Sequence, residues 1–503
     1  MNLADGPPAN DGAPAMDGRI DRGSSLPVCS RRFRVSGALL LVTLVAWLAG
    51  CEQVERPNIL LITVDTLRAD SLDLDSALPG ASATAASRTP RLASLAAQGT
   101  VFRRATAPMS LTRPSHFSIL TGRYPREHGV VNNQLALPAE AQSVSRELQR
   151  AGYATAGFVA VSLLGRGSGA EHGFEHFVAP ERALEWRASR VVDAASQWLD
   201  SLEGDAPFFA WVHLFDPHQP YDPPADARAG LDADLLRRHP VLGWQQFLEI
   251  AKASGGQISF EVARHAQALY AAEVSAVDRE VGRLLEKVDA RFGADETVVV
   301  FTADHGECFE NGVYFEHSDC LFEGGVRVPL IVRYPKEFES GKQVDDLVSN
   351  ADVAPTLLQA AGLEVPAEMT VPSLRDRAAA GTREVLLQNP FYPSSVLPAR
   401  RHRQVVIRRV AGESVAPFES GAPRLGLVRG DWKYLRGERG DELYAVSVDA
   451  KPEVNVAYRE REARSVMGAA LDAALERHPA AAIESSELNP ELLQSLRALG
   501  YVE

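Results

Sequence analysis

The chain reads as an α/β protein: a doubly wound, mostly parallel sheet, followed by a smaller C-terminal α+β part built on an antiparallel sheet. Three observations predict this. Residues 59–64 and 298–301 are unbroken apolar, β-branched runs, the pattern of strands covered on both faces. Between residues 59 and 334 such runs alternate with stretches of helical periodicity, as a doubly wound sheet requires. After about residue 370 the apolar pieces shorten and are separated by Gly- and Asp-containing turns, the mark of a small antiparallel sheet.

Taken in order, the first strand runs over 59–64 and stops at Asp65, which puts a carboxylate at a strand's C-terminal end, where ligands of open α/β sheets gather. Thr89-Pro90 starts a helix that Gly99 stops. Strands are predicted over 101–104, 154–159 and 208–214, and a long helix over 261–287 from its apolar spacing. The run 298–301 ends in Thr302-Ala303-Asp304-His305-Gly306, and 328–334 is one more strand. The C-terminal sheet is expected from 404–410, 425–428, 433–435 and 442–446, with a helix in the tail 488–502. The organisation is therefore a leader over 1–50, a catalytic α/β domain over 57–370 and a subdomain over 371–503.

The 503 residues carry a formal net charge of −14, which provides no field to gather DNA or RNA, so nucleic acid is not an expected partner. Residues 1–30 lack a hydrophobic pattern and are expected to be disordered. Arg31, Arg32 and Arg34 precede an apolar run over 35–50 that ends Leu48-Ala49-Gly50-Cys51. A membrane span takes about 20 residues, so this shorter run reads as an export signal. Its ending resembles a bacterial lipobox, which implies cleavage before Cys51, lipid on that thiol, and a membrane-anchored protein facing the periplasm or the cell exterior. Cys308 and Cys320 then remain as thiols of the exported body, either paired or separate.

Two acidic residues and an imidazole converging from strand ends, Asp65 with Asp304 and His305, suit a divalent cation such as Mn²⁺, Zn²⁺, Mg²⁺ or Ca²⁺. The stretches NILLITVDTLRAD (58–70), TRPSHFSILTGRYPREHGV (112–130), WVHLFDPHQPYDPP (211–224), FTADHGE (301–307), EHSDCLFEGGVRVPLIV (316–332) and DVAPTLLQAAG (352–362) follow one another in an order that resembles the sulfatase branch of the alkaline phosphatase superfamily. The resemblance covers residues 57–362 well and 425–457 more loosely.

Carried over by position, it implies that Asp65, Asp304 and His305 are metal ligands and that Thr112 is the nucleophile, bridging metal and substrate. Pro114 is expected to open a helix whose free N–H groups face the anionic ester substrate. His218 matches a histidine that contacts the transferred group or protonates the leaving oxygen, and His317 stands near the ester oxygens. Arg68, His116 and His128 are candidates for substrate binding, whereas His213, inside a strand, reads as structural and Asp216 is not expected to hold a second metal.

The departures are informative. Sulfatases carry Cys or Ser where this chain has Thr112, and a Thr cannot be oxidised to the formylglycine aldehyde. His116 stands where the family places the Arg needed for that conversion, so no formylglycine is expected. Thr66 replaces a second acidic residue, and no Lys-x-His pair is found. These losses favour a Mn²⁺- or Zn²⁺-type enzyme that cleaves phosphate or phosphonate esters through Thr112. The alternatives are a sulfatase working without formylglycine, a phosphoglycerol or phosphoethanolamine transferase, and an inactive glycan-binding protein. The sequence specifies neither the substrate, whose pocket loops (160–180 and 220–260) have no readable code, nor the oligomeric state.

Overall fold

A computed structural model describes residues 56–74, 89–181, 185–310, 312–376, 383–390, 406–415, 424–437, 440–446 and 454–482. The leader, Cys51 and the tail 488–502 lie outside the described residues. Among the described residues, no helix is long and apolar enough to cross a membrane.

The predicted apolar runs form the centre of an eight-stranded sheet. Its strands are β1 (Asn58–Val64), β2 (Thr100–Thr106), β3 (Ala154–Val159), β4 (His176–Val178), β5 (Phe208–Leu214), β6 (Thr297–Ala303), β7 (Leu330–Arg333) and β8 (Lys342–Ser349), in the order β8-β2-β7-β6-β1-β5-β3-β4. All pairings are parallel except those of β7, which runs antiparallel to both β6 and β2. β1 lies between β5 and β6 and its residues Ile59 to Ile62 are fully buried, which is why no polar residue interrupts that stretch.

Helices cover the sheet. They include α1 (Pro90–Gln98), α2 (Thr112–Thr121), α3 (Phe260–Phe292) and α4 (Val353–Ala360), while α5 (Arg461–Arg477) belongs to the second sheet. The Ser259 side chain caps α3 by accepting from the Val262 N–H, and the helix runs five residues past its predicted end at 287.

The second sheet is antiparallel and four-stranded: β9 (Glu384–Gln388), β10 (Leu425–Arg429), β11 (Trp432–Gly437) and β12 (Gly440–Ala445), in that order. Its composition corrects one expectation. The predicted strand at 404–410 does not join it; Arg409–Val410 pairs instead with Gln257–Ile258 and Glu413–Ser414, and β9 takes the fourth place. α5 packs on this sheet through Met467, Leu471 and Ala474. Cys308 and Cys320 are paired as a disulfide, with Cα atoms 6.4 Å apart.

Candidate functional site

Asp65 and Asp304 are each the first residue beyond a strand. Val64 of β1 stands opposite Ala303 of β6 and Leu214 of β5, so the parallel register brings both carboxylates to one edge of the sheet. His305 follows directly. Ligand atoms of Asp65, Asp304 and His305 lie within 4.8 Å of one another, and all three residues are fully buried. Gly306 is required by close approach, since a Cβ there would meet the Gly324 carbonyl oxygen at 2.0 Å.

The donor set fits a divalent cation. Asp65 Oδ1, Asp304 Oδ2 and His305 Nε2 are buried and have no hydrogen-bond partner among the described residues. The His305 Nδ1–H donates to the Gly306 carbonyl at 2.9 Å, which leaves the neutral ring's Nε2 lone pair for a metal. Two buried carboxylates whose charged neighbours are imidazoles only, among the described residues, call for an outside cation. Their titration is split accordingly. Burial pushes the Asp65 carboxyl up, but the neighbouring imidazoles of His213, His218 and His305 outweigh it and hold the group well below its usual range. Burial and the neighbouring Asp65 charge push Asp304 far above it.

Thr112 is the first residue of α2, with its Oγ1 3.5 Å from Asp65 Oδ2. Leu111, not Thr112, is the N-cap, and the helix begins two residues before Pro114. The expected row of free amides is correspondingly depleted. The Arg113 N–H donates to Asn133 Oδ1 at 2.9 Å, Pro114 has none, and the Ser115 N–H donates to the Leu111 carbonyl.

His218 and His317 flank the same cluster. The His317 ring lies 4.7 Å from that of His305 and 5.1 Å from that of His218. His218 Nδ1–H donates to the Gln219 carbonyl at 2.6 Å, and its Nε2 has no partner among the described residues. Burial lowers the His218 pKa. Burial also pulls on His317, but the charge and hydrogen bond of Glu307, 3.3 Å away, raise it. Glu307 is the anchor here, because its other oxygen accepts from the Tyr221 hydroxyl at 3.1 Å.

The three candidate substrate contacts each have protein partners. The buried Arg68 guanidinium is bound by Asp70 at 2.8 and 2.9 Å, Glu310 at 3.0 Å and the Glu307 carbonyl at 2.8 Å, so it braces the loop after β6. His116 lies between the Thr112 carbonyl at 2.9 Å and Thr63 Oγ1 at 3.1 Å, with Asp304 Oδ2 at 3.3 Å. His128 is bonded to Ser118 and the Pro114 carbonyl, each at 3.2 Å, and fastens α2.

His213 was read as structural, yet its ring faces the cluster. Its Nδ1 accepts from the Ala160 N–H at 3.2 Å, so Nε2 carries the proton 3.7 Å from Asp65 Oδ2. A neighbouring acidic group behaves differently. Arg187 is within 3.0 Å of Asp216, 2.6 Å of Asp222 and 3.2 Å of Glu273. The second Asp216 oxygen accepts from the Ala188 N–H at 2.8 Å, so Asp216 is spent on protein donors. Thr66 adopts φ 52°, the left-handed region that β-branched residues avoid, and its Oγ1 is buried without a partner among the described residues.

Comparison with known proteins adds identity to this geometry. The family model described as Sulfatase matches residues 57–363. An ulvan-active sulfatase of Formosa agariphila is 24% identical over 427 residues, covering 78% of this chain and 75% of its own. Among solved structures, one in complex with its substrate D-glucosamine-2-N,6-O-disulfate superposes with a TM-score of 0.64 at 20% identity, covering 84% of this chain and 98% of that one. A phosphonate monoester hydrolase of Agrobacterium radiobacter gives a TM-score of 0.63 at 21% identity, covering 87% and 99%. These two share the fold.

Proposed function

The chain belongs to the sulfatase family and is an ester hydrolase of that kind, and we propose that it cleaves sulfate monoesters with the Thr112 hydroxyl as nucleophile. The observation that carries this reading is the buried Asp65–Asp304–His305 set with Thr112 Oγ1 at its edge. Sulfatases use a divalent metal, and the three residues would hold it here. When bound, the ion supplies Lewis-acid charge that makes the Thr112 hydroxyl a nucleophile at neutral pH and offsets the negative ester oxygens.

The chain's own groups provide the rest. Thr112 Oγ1 gives its proton to Asp65 Oδ2, 3.5 Å away, and attacks the sulfur; the bond to the leaving alcohol breaks, and a histidine protonates the departing oxygen. His317 fits the acid role, since Glu307 favours its charged form. His218, with its pKa lowered and Nε2 unengaged, fits removal of a proton from the water that cleaves the threonyl ester. His116 and His213 stand beside the carboxylates, 3.3 Å from Asp304 Oδ2 and 3.7 Å from Asp65 Oδ2.

The sequence expectation put phosphate first; relatives such as the ulvan-active sulfatase support sulfate better. One observation keeps a second reading. Thr112 lacks the aldehyde hydrate that expels sulfate from a sulfatase intermediate, whereas a phosphothreonine is opened by in-line attack of water. Phosphate or phosphonate ester cleavage is therefore the second reading, in keeping with the fold shared with a phosphonate monoester hydrolase. Parallel kcat/KM measurements on nitrophenyl sulfate, phosphate and phenylphosphonate, with Mn²⁺, Zn²⁺, Mg²⁺ and Ca²⁺, decide between them. Turnover that survives Thr112→Ala unchanged would refute both. The Cys51 lipobox supports export and membrane anchoring; loss of fatty-acid labelling in Cys51→Ser tests it.

A further inference from the structure

A cavity of about 540 Å³ lies at the far end of the nucleophile helix, lined by Tyr124, Arg383, Glu384, Arg429, Arg477 and His478 among others. It is separate from the catalytic cluster. Thr112 opens α2 and Gly122 caps it, so ten helical residues, about 15 Å at 1.5 Å per residue, intervene before Tyr124.

The charge here is unusual for so acidic a chain. Three guanidinium groups, Arg383, Arg429 and Arg477, gather here with the carboxylates Glu384 and Asp352, while Glu127 is engaged by His478. Glu384 is divided between Arg477, in direct contact, and Arg429 at 3.9 Å. Arg383 is the decisive residue. Its side chain is only 9% exposed and Nη2 is paired with Asp352, but Nη1 is buried with no hydrogen-bond partner among the described residues. Arg383 lines the cavity with two more guanidiniums on its walls, a concentration of planar cationic donors of the kind that recognises a tetrahedral oxyanion. The His478 ring, held by Glu127 Oε1 at 3.0 Å and edge-on to Tyr124, adds a wall that is itself fastened.

We propose that this cavity binds a sulfate or phosphate group, free or carried by a small molecule, at a site distinct from the catalytic cluster. The volume falls in the range of small-molecule sites, so a monosaccharide bearing the anion fits as well as the bare ion. The anion meets the charge of Arg383, Arg429 and Arg477 and competes with Asp352 and Glu384 for it.

Hydrogen exchange of the full chain, followed by peptide, tests the site locally. The probes are inorganic sulfate, inorganic phosphate and 6-deoxy-6-sulfo-glucose, a sulfonate with no ester bond to cleave. Saturable protection is expected in 424–437 and 461–478. The exposed-rim double variant Arg429→Ala/Arg477→Ala should weaken the apparent affinity about tenfold or more while leaving kcat unchanged. Protection by the two ions alone marks a free-oxyanion site, and tighter protection by the sulfonate marks a sugar site. Arg383→Met should abolish protection; if that variant does not fold, the double variant carries the test. Absence of saturable protection with all three probes, or equal protection in the double variant, overturns the proposal. Because kcat is read separately, an inactive enzyme with intact protection refutes the catalytic reading and not this one.

Discussion

Two acidic clusters lie close together, and they solve the same electrostatic problem in opposite ways. Asp216, Asp222 and Glu273 share Arg187, a cation supplied by the chain itself. Asp65 and Asp304 have only imidazoles for charged neighbours among the described residues, with ligand atoms left unbonded. A carboxylate group with a resident guanidinium is complete and structural. One without it could be completed by a cation from solution, and on the proposed function that cation is what makes the site reactive.

The largest effect that separates the clusters is on turnover. Asp304→Asn should lower kcat/KM by about a thousandfold or more, because it removes a ligand and its charge while keeping the shape. Steady-state kinetics with saturating metal reads this, and a loss under tenfold would place the catalytic centre elsewhere. Next, a chelator should abolish activity and lower the Tm, with both restored by a divalent ion. Arg187→Ala should not change the metal requirement, but should cost about 1–2 kcal/mol in urea unfolding. That is less than a fully buried pair would lose, since the Arg187 side chain is 48% exposed.

The smallest effect is a pH dependence of stability. Burial and the Asp216 charge raise the Glu273 pKa well above its ordinary 4.5. The folded state thus holds this proton more tightly than the unfolded one. The stabilisation is complete below pH 4.5 and is lost as pH rises through the folded value. Glu273→Gln should flatten that decline in unfolding free energy above pH 4.5. A decline of unchanged slope would assign it to another group.

Much of the sheet and the core of the site was legible because burial on both faces forbids polar residues within a strand. Asp65 and Asp304 stand out by ending such runs. His213 was missed for the same reason: inside β5 it looks like an interruption of core, and only the pairing of β5 with β1 brings it to Asp65. The pairing of Arg68 with Glu310 was not legible because the two are 242 positions apart in sequence. The Cys308–Cys320 pairing depends on a Cα separation that spacing alone does not specify. β9 and α5 escaped notice since a five-residue apolar piece and a weakly one-sided helix have little periodic signal.

The alignment of β1 with β6 has one last consequence. The gap between the two acids is dictated by a ladder of main-chain bonds, so it is indifferent to most side-chain changes in the core yet intolerant of insertion or deletion. Loss of a single residue from either strand would slide one acid along by about 3.3 Å, more than the radius of any candidate ion. Length variation in such a chain is therefore confined to the loops, and the catalytic spacing is inherited with the backbone.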